Sequence, residues 1–501
     1  MKKTLAILLF LVMQVSYGQV TYVDDNYTFE PLGIETAGIL HETDSLNFYF
    51  LSSSKEVIAS CFSREFKKQI WRSTLSEGYK KDKLKFEFHE AFFSSGKAHL
   101  IFKAFDKKES SLVFELITLN HEGKSQEAVK IGNFPVSDNN NYNVKYIKTE
   151  DKKHTLLRVT TDGDASPTIK SHFVWLDANF QKLQQGVIDN KIKGSNGEIK
   201  SEAVSNQLNY SISVYDHIDQ KRDFIVYTYS TGNGNTELVL ISNNTSLLEA
   251  NISYNTTNSH LIVNGFYGQR KGKKIHIEGF YQRNYNISSN KKIADQRNGI
   301  TDLISKGLSS DKAKLEQWLT GNGRKSIVYH SSYFSNTNGK FVVYEVKELI
   351  NNQMTNLAGW VTTDLLILNN NLNGEANFTS ILPYPELLIM GTMKGYTSFY
   401  GYFIDDDFAF SYSLDGIKSQ ELFPEKPELK NLTNKEIVLF ETKFDSSNKP
   451  KTRTLLVETK NTAAWSMLNN YGYKIDIEPW NRATKINGKL YLLAKKGNQN
   501  P

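Results

Sequence analysis

The sequence predicts an all-β chain assembled from repeated antiparallel strand units, and three observations predict it. Strings rich in β-branched and aromatic residues recur throughout, among them 46–51, 224–229 and 340–346. Gly, Asn, Asp and Ser interrupt these strings every few residues, which is the chemistry of turns. The chain holds 10 prolines, few of them inside the strings, so the backbone donors that strand ladders need are kept.

Laid beside one another, the strings form a larger unit: two strands joined by a polar loop, a turn centred on Asn, Asp or Gly, then a shorter strand. One copy pairs 99–102 with 112–119 and turns at Asn120-His121-Glu122-Gly123. The next pairs 155–159 with 172–176 and turns at Asp177-Ala178-Asn179. Further copies are expected at 238–241 with Asn243-Asn244, at 365–368 with Asn369-Asn370-Asn371, at 408–412 with Leu414-Asp415-Gly416, and at 437–440 with 455–457. The aliphatic ends Leu119, Leu176, Ile241 and Leu368 lie 57, 65 and 127 residues apart, so one more unit is expected inside the last interval. The strings 261–267 and 275–281 supply it, and both end in Gly-Phe-Tyr. As hairpin partners they would stack aromatic pairs worth about 0.2–1 kcal/mol each.

A unit of about four strands recurring in this way resembles the blade of a β-propeller, because one blade is too thin to exclude water alone and must stack on its neighbours. The resemblance is to exported β-propeller repeat proteins as an architecture class and covers most of residues 40–495. No Trp-Asp blade ending and no Kelch double glycine is present. It implies about seven blades in a ring closed by pairing 27–34 with 490–494. Tandem β-sandwiches are the competing architecture, since they too show regularly spaced strands. The expected organisation is a signal peptide over 1–18 and a single propeller domain over 19–501, with a helical insertion near 296–321.

The N-terminus reads as export machinery. Lys2 and Lys3 precede an apolar run over 5–15, and Gly18 follows where a signal peptidase cuts, so the mature chain is expected to begin at Gln19. The run is about half of the roughly 20 residues a spanning helix needs, and no later run is long enough. The mature protein is therefore expected in the periplasm or outside the cell, with no integral membrane segment. Cys61 is the only cysteine, which excludes an intramolecular disulfide and leaves stability to a large core. Losing Lys2 and Lys3 leaves 58 basic against 54 acidic residues, a balance that predicts no nucleic-acid partner. The basic stretch 270–274 reads as a solvated hairpin tip.

One segment breaks the β pattern. Over 296–321 the strings stop, and Ser309-Ser310-Asp311 precedes Ala313, Leu315, Trp318 and Leu319 before Gly321. This is the pattern of a short helix capped by Ser309 and ended by glycine, with Trp318 as the candidate ligand-binding residue. It reads first as packing that seals a blade edge.

The densest acidic group, Asp405-Asp406-Asp407, invites a hard cation such as calcium at Asp405 and Asp407, the candidate metal ligands. Successive positions of a strand project to opposite faces, so Asp405 and Asp407 share a site only if loop backbone also contributes; the EF-hand order is missing, and a solvated turn is the plainer reading. Asp162-Gly163-Asp164 carries the same idea and the same discount. The 10 histidines are scattered singly, without zinc spacing, and His99, His172, His260 and His276 fall in or beside strands. Cys61 lies in an apolar string and reads as a buried hydrophobe. No nucleophile elbow or phosphate loop occurs, and no cofactor motif is seen. Glu345, Glu348, Glu441 and Glu458 at strand ends keep a glycosidase-type carboxylate pair open. The expected function is a non-enzymatic propeller-type binding or scaffold protein engaging a protein or glycan. A polysaccharide-active enzyme using strand-end carboxylates is the alternative.

Overall fold

The computed structural model describes residues 34–42, 46–53, 56–63, 69–94, 96–136, 142–161, 168–191, 198–218, 221–230, 234–240, 245–255, 258–271, 274–287, 289, 291–305, 325–335, 339–352, 357–371, 376–388, 399–404, 407–433, 436–444, 450–459, 484–486 and 489–491. Among these, six four-stranded sheets and one five-stranded sheet follow one another along the chain. In each sheet the strands are hydrogen-bonded in sequence order, so every sheet is an antiparallel meander. The first sheet runs from strand Ile34–Glu42 to Gln69–Ser76, and the five-stranded second from Gly78–Lys81 to Val129–Pro135. The third spans Tyr142–Lys148 to Lys182–Lys191, the fourth Glu198–Val204 to Gly234–Leu240, and the fifth Thr245–Tyr254 to Lys291–Gly299. The sixth runs from Lys325–Ser335 to Ala376–Leu388 and the seventh from Phe399–Ile404 to Pro450–Thr459.

The chain divides into two compact units, 1–54 with 58–72 and 395–501, and 55–57 with 73–394. In the larger unit the sheets pack face to face in chain order, and the alternation of side chains along each strand shows how. On strand Thr168–Asp177 of the third sheet, Val174 and Leu176 join Ile101, Phe114 and Phe134 of the second. Their neighbours Phe173 and Trp175 point the other way and join Tyr210, Ile212 and Val214 of the fourth. The fourth sheet repeats the pattern, turning Tyr215, Phe224 and Val226 toward Ile252, Val263 and Tyr281 of the fifth. The fifth then presents Phe266 and Phe280 to Val342, Tyr344 and Leu368 of the sixth. Inner sheets are thus covered on both faces, whereas a paired sandwich leaves one face of each sheet to solvent. This is the blade organisation of a β-propeller, and burial of each enclosed aromatic or aliphatic side chain contributes about 1.5–3 kcal/mol.

The Gly-Phe-Tyr strings meet as expected. Phe266 lies opposite Phe280 in register, their rings edge to face with centroids 5.4 Å apart. The turns also follow their chemistry. Asn120 Oδ1 accepts from the backbone N–H of Glu122 and Lys124, Asp177 Oδ1 from Asn179 and Gln181, and Ser205 Oγ from Gln207 and Asn209. The fourth residue of each turn is left-handed: Gly123, Phe180 and Leu208, with φ of 76°, 60° and 60°. Only one of the three is glycine.

Three expectations are corrected. Residues 238–240 lie on the last strand of the fourth sheet, whereas Leu176 and Leu368 lie on third strands, so the 65-residue interval compares unlike strands. The β pattern does not stop at Gln296, because strand Lys291–Gly299 runs through it and a helix, α1 (Ile300–Ser305), follows. Arg283, ion-paired to Asp295 at 2.7 Å, anchors this edge strand despite its polar sequence. Beyond Leu414-Asp415-Gly416 stands a second helix, α2 (Gly416–Leu422), rather than a turn into a short strand. The Gln420 amide holds α2 in place, donating to the carbonyls of Gly416 and Leu432 and accepting from Asn431 N–H. Of the expected ring closure, Ile34 pairs with Ser53, Leu490 with Lys485 and Tyr491 with Thr484, and the rest lies outside the described residues.

Candidate functional site

The expected site residues are placed as follows. Asp407 opens strand Asp407–Asp415, paired with Ile404 across the turn, and its Oδ2 lies 2.8 Å from Nζ of Lys443. The cation facing Asp407 is thus an ammonium on the next strand. Asp405, Trp318, the helix expected over 309–321 and the segment 162–164 lie outside the described residues. Among the described residues no group of three or more His, Cys, Asp or Glu side chains is arranged to hold a metal. Of the basic stretch 270–274, Arg270 lies opposite Ile275 and Lys271 opposite Lys274, and residues 272–273 lie outside the described residues.

His99 takes a packing position. His99 is buried, its ring stacked on Phe180 at 4.8 Å and its Nδ1 3.2 Å from Thr118 Oγ1. Burial lowers the pKa of His172 and of His260. Cys61 is fully buried, and burial pushes its thiol up to about 11, the state of an inert small hydrophobe.

Two of the four strand carboxylates, Glu345 and Glu441, are ion-paired. Glu345 Oε1 lies 2.8 Å from His330 Nδ1, and Oε2 lies 3.1 Å from Lys347 Nζ. Burial alone would raise this carboxyl, but the imidazole and the ammonium overcome it and hold it at about 2. Glu441 Oε1 accepts from Arg453 Nε at 2.7 Å. Glu348 and Glu458 stand on strands, and their side chains lie outside the described set. A further ion cluster joins the third and fourth sheets. Glu202, 3% exposed at its side chain, takes Arg158 Nη2 at 2.8 Å, Lys145 Nζ at 2.9 Å and the Tyr210 hydroxyl at 2.7 Å. Burial raises its carboxyl, and Arg158 and Lys145 outweigh that and keep it low.

A different group of residues, invisible to motif reading, is brought together between the fifth and sixth sheets. Alternation on strands Thr245–Tyr254, Leu261–Lys271 and Lys274–Asn286 sends Ile252, Val263 and Tyr281 toward the fourth sheet. It therefore sends Asn251, Ser253, Asn264 and Gln282 toward the sixth. There they meet Lys340 and Asn370, which lie opposite each other in register. Gly339 makes this approach possible: it takes φ 83°, and a Cβ there would strike the Asn370 carbonyl.

This seam is polar and closed to bulk solvent. Asn251, Asn264 and Asn370 are 0% exposed and Lys340 is 1% exposed. Lys340 Nζ donates to Ser253 Oγ at 2.7 Å, and Asn370 Nδ2 donates to Gln282 Oε1 at 3.0 Å. Both polar atoms of the Asn251 and Asn264 carboxamides, and Asn370 Oδ1, have no hydrogen-bond partner among the described residues. Burial depresses the Lys340 ammonium to about 7, with no charged neighbour contributing. Most of these residues are single polar positions among apolar neighbours, and among the Asn and Gln of the seam only Gln282 has another at the alternate position of its strand, Asn284, so the sequence carries no clear signal for the seam.

No protein-family model matches the chain, and no curated protein matches it. Solved structures do align with it. The β-propeller domain of the Trilobed protease from Pyrococcus furiosus shares 10% identity over 86% of this chain and 97% of its own, with a TM-score of 0.33. The WD40 domain of SCAP from fission yeast shares 9% over 86% of this chain and 90% of its own, with a TM-score of 0.32. The polysaccharide lyase Uly1 shares 8% over 88% of this chain and 94% of its own, with a TM-score of 0.36. At this level the likeness says nothing of what this chain binds.

Proposed function

We propose that the protein is an exported, non-enzymatic scaffold that engages a protein or glycan partner through its loops and strand ends, in the periplasm or outside the cell. The observation that carries this reading is the state of the strand carboxylates. A glycosidase-type general acid needs a carboxyl raised toward neutral pH. Glu345 is instead held at about 2 by His330 and Lys347, and Glu441 is bound to Arg453. The inner sheets spend both faces on packing, which leaves loops and strand ends to meet a partner.

The purified mature chain is to be tested against immobilised cell-envelope polysaccharides and envelope proteins, with product release followed in parallel. The expected result is retention of one ligand class with no turnover. Turnover of a polysaccharide that disappears on Glu345→Gln or Glu441→Gln would overturn the proposal in favour of an enzyme. Export is tested by N-terminal sequencing of the cell-produced protein, which should begin at Gln19; an uncleaved chain retained in the cytoplasm would refute it.

A further inference from the structure

The seam between the fifth and sixth sheets carries a cation without a counter-charge. Among the described residues Lys340 has one hydrogen-bond partner, the Ser253 hydroxyl, and two spare N–H bonds. The groups facing it from the fifth sheet are Ser253 and the neutral amides of Asn251, Asn264 and Gln282; from its own sheet they are Asn370 and Val342. None of these titrates. The buried Asp364 pairs with Val346, six residues along the same strand, about 20 Å away.

The same seam holds donors with nothing to donate to. Asn251 and Asn264 face each other across the ladder, both fully buried, and neither Nδ2 has an acceptor. A buried donor left without an acceptor is destabilising, so such groups persist where something satisfies them. Asn251 lies two residues from Ser253, the partner of Lys340, on one face of one strand, about 7 Å along it.

We propose that this seam binds a small monovalent anion of the chloride class, held by the Lys340 ammonium and the carboxamide N–H groups of Asn251 and Asn264. One negative charge balances the one ammonium. A divalent oxyanion such as sulfate would leave a buried excess charge and needs more room than packed sheets about 10 Å apart provide. The unpartnered carbonyl oxygens of the same amides point to water sharing the seam, with the anion taking the donors. Binding to the folded state alone makes stability depend on the anion.

The experiment compares thermal unfolding of the full mature chain in sodium chloride and in sodium gluconate at equal ionic strength and pH 6.5. Lys340→Met, which keeps the volume and removes the charge, and Asn264→Leu are run beside it. The wild-type midpoint should be higher in chloride by a few degrees, and the difference should vanish in Lys340→Met and shrink in Asn264→Leu. At pH 10, where the buried amine is neutral, the wild-type difference should also disappear. Bromide diffused into crystals should give one anomalous peak within contact of Lys340 Nζ. Superposing chloride and gluconate curves for the wild type, or a chloride increment that survives in Lys340→Met, would overturn the proposal. A bromide peak absent from the seam would do the same. These outcomes are independent of whether the chain binds a glycan or a protein at its loops.

Discussion

Replacing Lys340 by methionine should make the protein more stable, an unusual outcome for a core substitution. The ammonium is depressed from 10.5 to about 7 by burial. Each unit corresponds to about 1.36 kcal/mol, so ordering this lysine in the seam costs about 4 kcal/mol at pH 7. The folded pKa lies below the unfolded one, so the cost is complete below about pH 7, declines as pH rises toward 10.5, and is gone above that. Methionine removes the cost and forfeits the bond to Ser253, worth about 1 kcal/mol. The net expectation is a gain of about 3 kcal/mol at pH 7, falling to near zero by pH 10. Urea unfolding of both proteins in chloride-free gluconate, at several pH values between 7 and 10, measures it. A variant less stable than wild type at pH 7, or a difference independent of pH, would refute the burial argument.

Two further outcomes follow from named residues. Lys152 is exposed and left-handed, φ 58°, in the turn that joins two strands of the third sheet. Lys152→Gly should raise stability by about 0.5–1 kcal/mol in the same assay, because the strain of a side chain in that conformation is removed; a loss would contradict the turn geometry. Glu345 is held at about 2 against an ordinary 4.5. Its contribution, about 3 kcal/mol, is fully present above pH 4.5 and is lost as pH falls toward 2. Glu345→Gln should flatten the stability profile between pH 4.5 and 2, and an unchanged slope would show that the pair with His330 and Lys347 contributes little.

The strand modules were legible because alternation and turn chemistry are local. Asn120 and Asp177 declare their turns through their own side-chain oxygens, and Phe266 and Phe280 declare their pairing through a shared motif. The left-handed backbone at Phe180 and Leu208 was not legible, since the turn around them imposes it on residues that disfavour it. Helix α2 was hidden for a related reason: Gln420 secures it through the distant Leu432 and Asn431. The polar seam was invisible because Asn251, Asn264, Gln282 and Lys340 each look like ordinary strand polars. Only the stacking of one sheet on the next shows that they face inward together.

Each inner sheet is enclosed from both sides, and adjacent residues on one strand test this. Phe173 and Val174 point to opposite faces of the third sheet and are 0% and 1% exposed. Thermal unfolding of Phe173→Asn and Val174→Asn, made separately, is the direct measurement. Both variants should melt well below wild type, since each puts an unsatisfied amide into a packed inter-sheet core at a cost of several kcal/mol. One variant melting like wild type would mean that one face of that sheet meets water, and the stacked-blade architecture would be wrong.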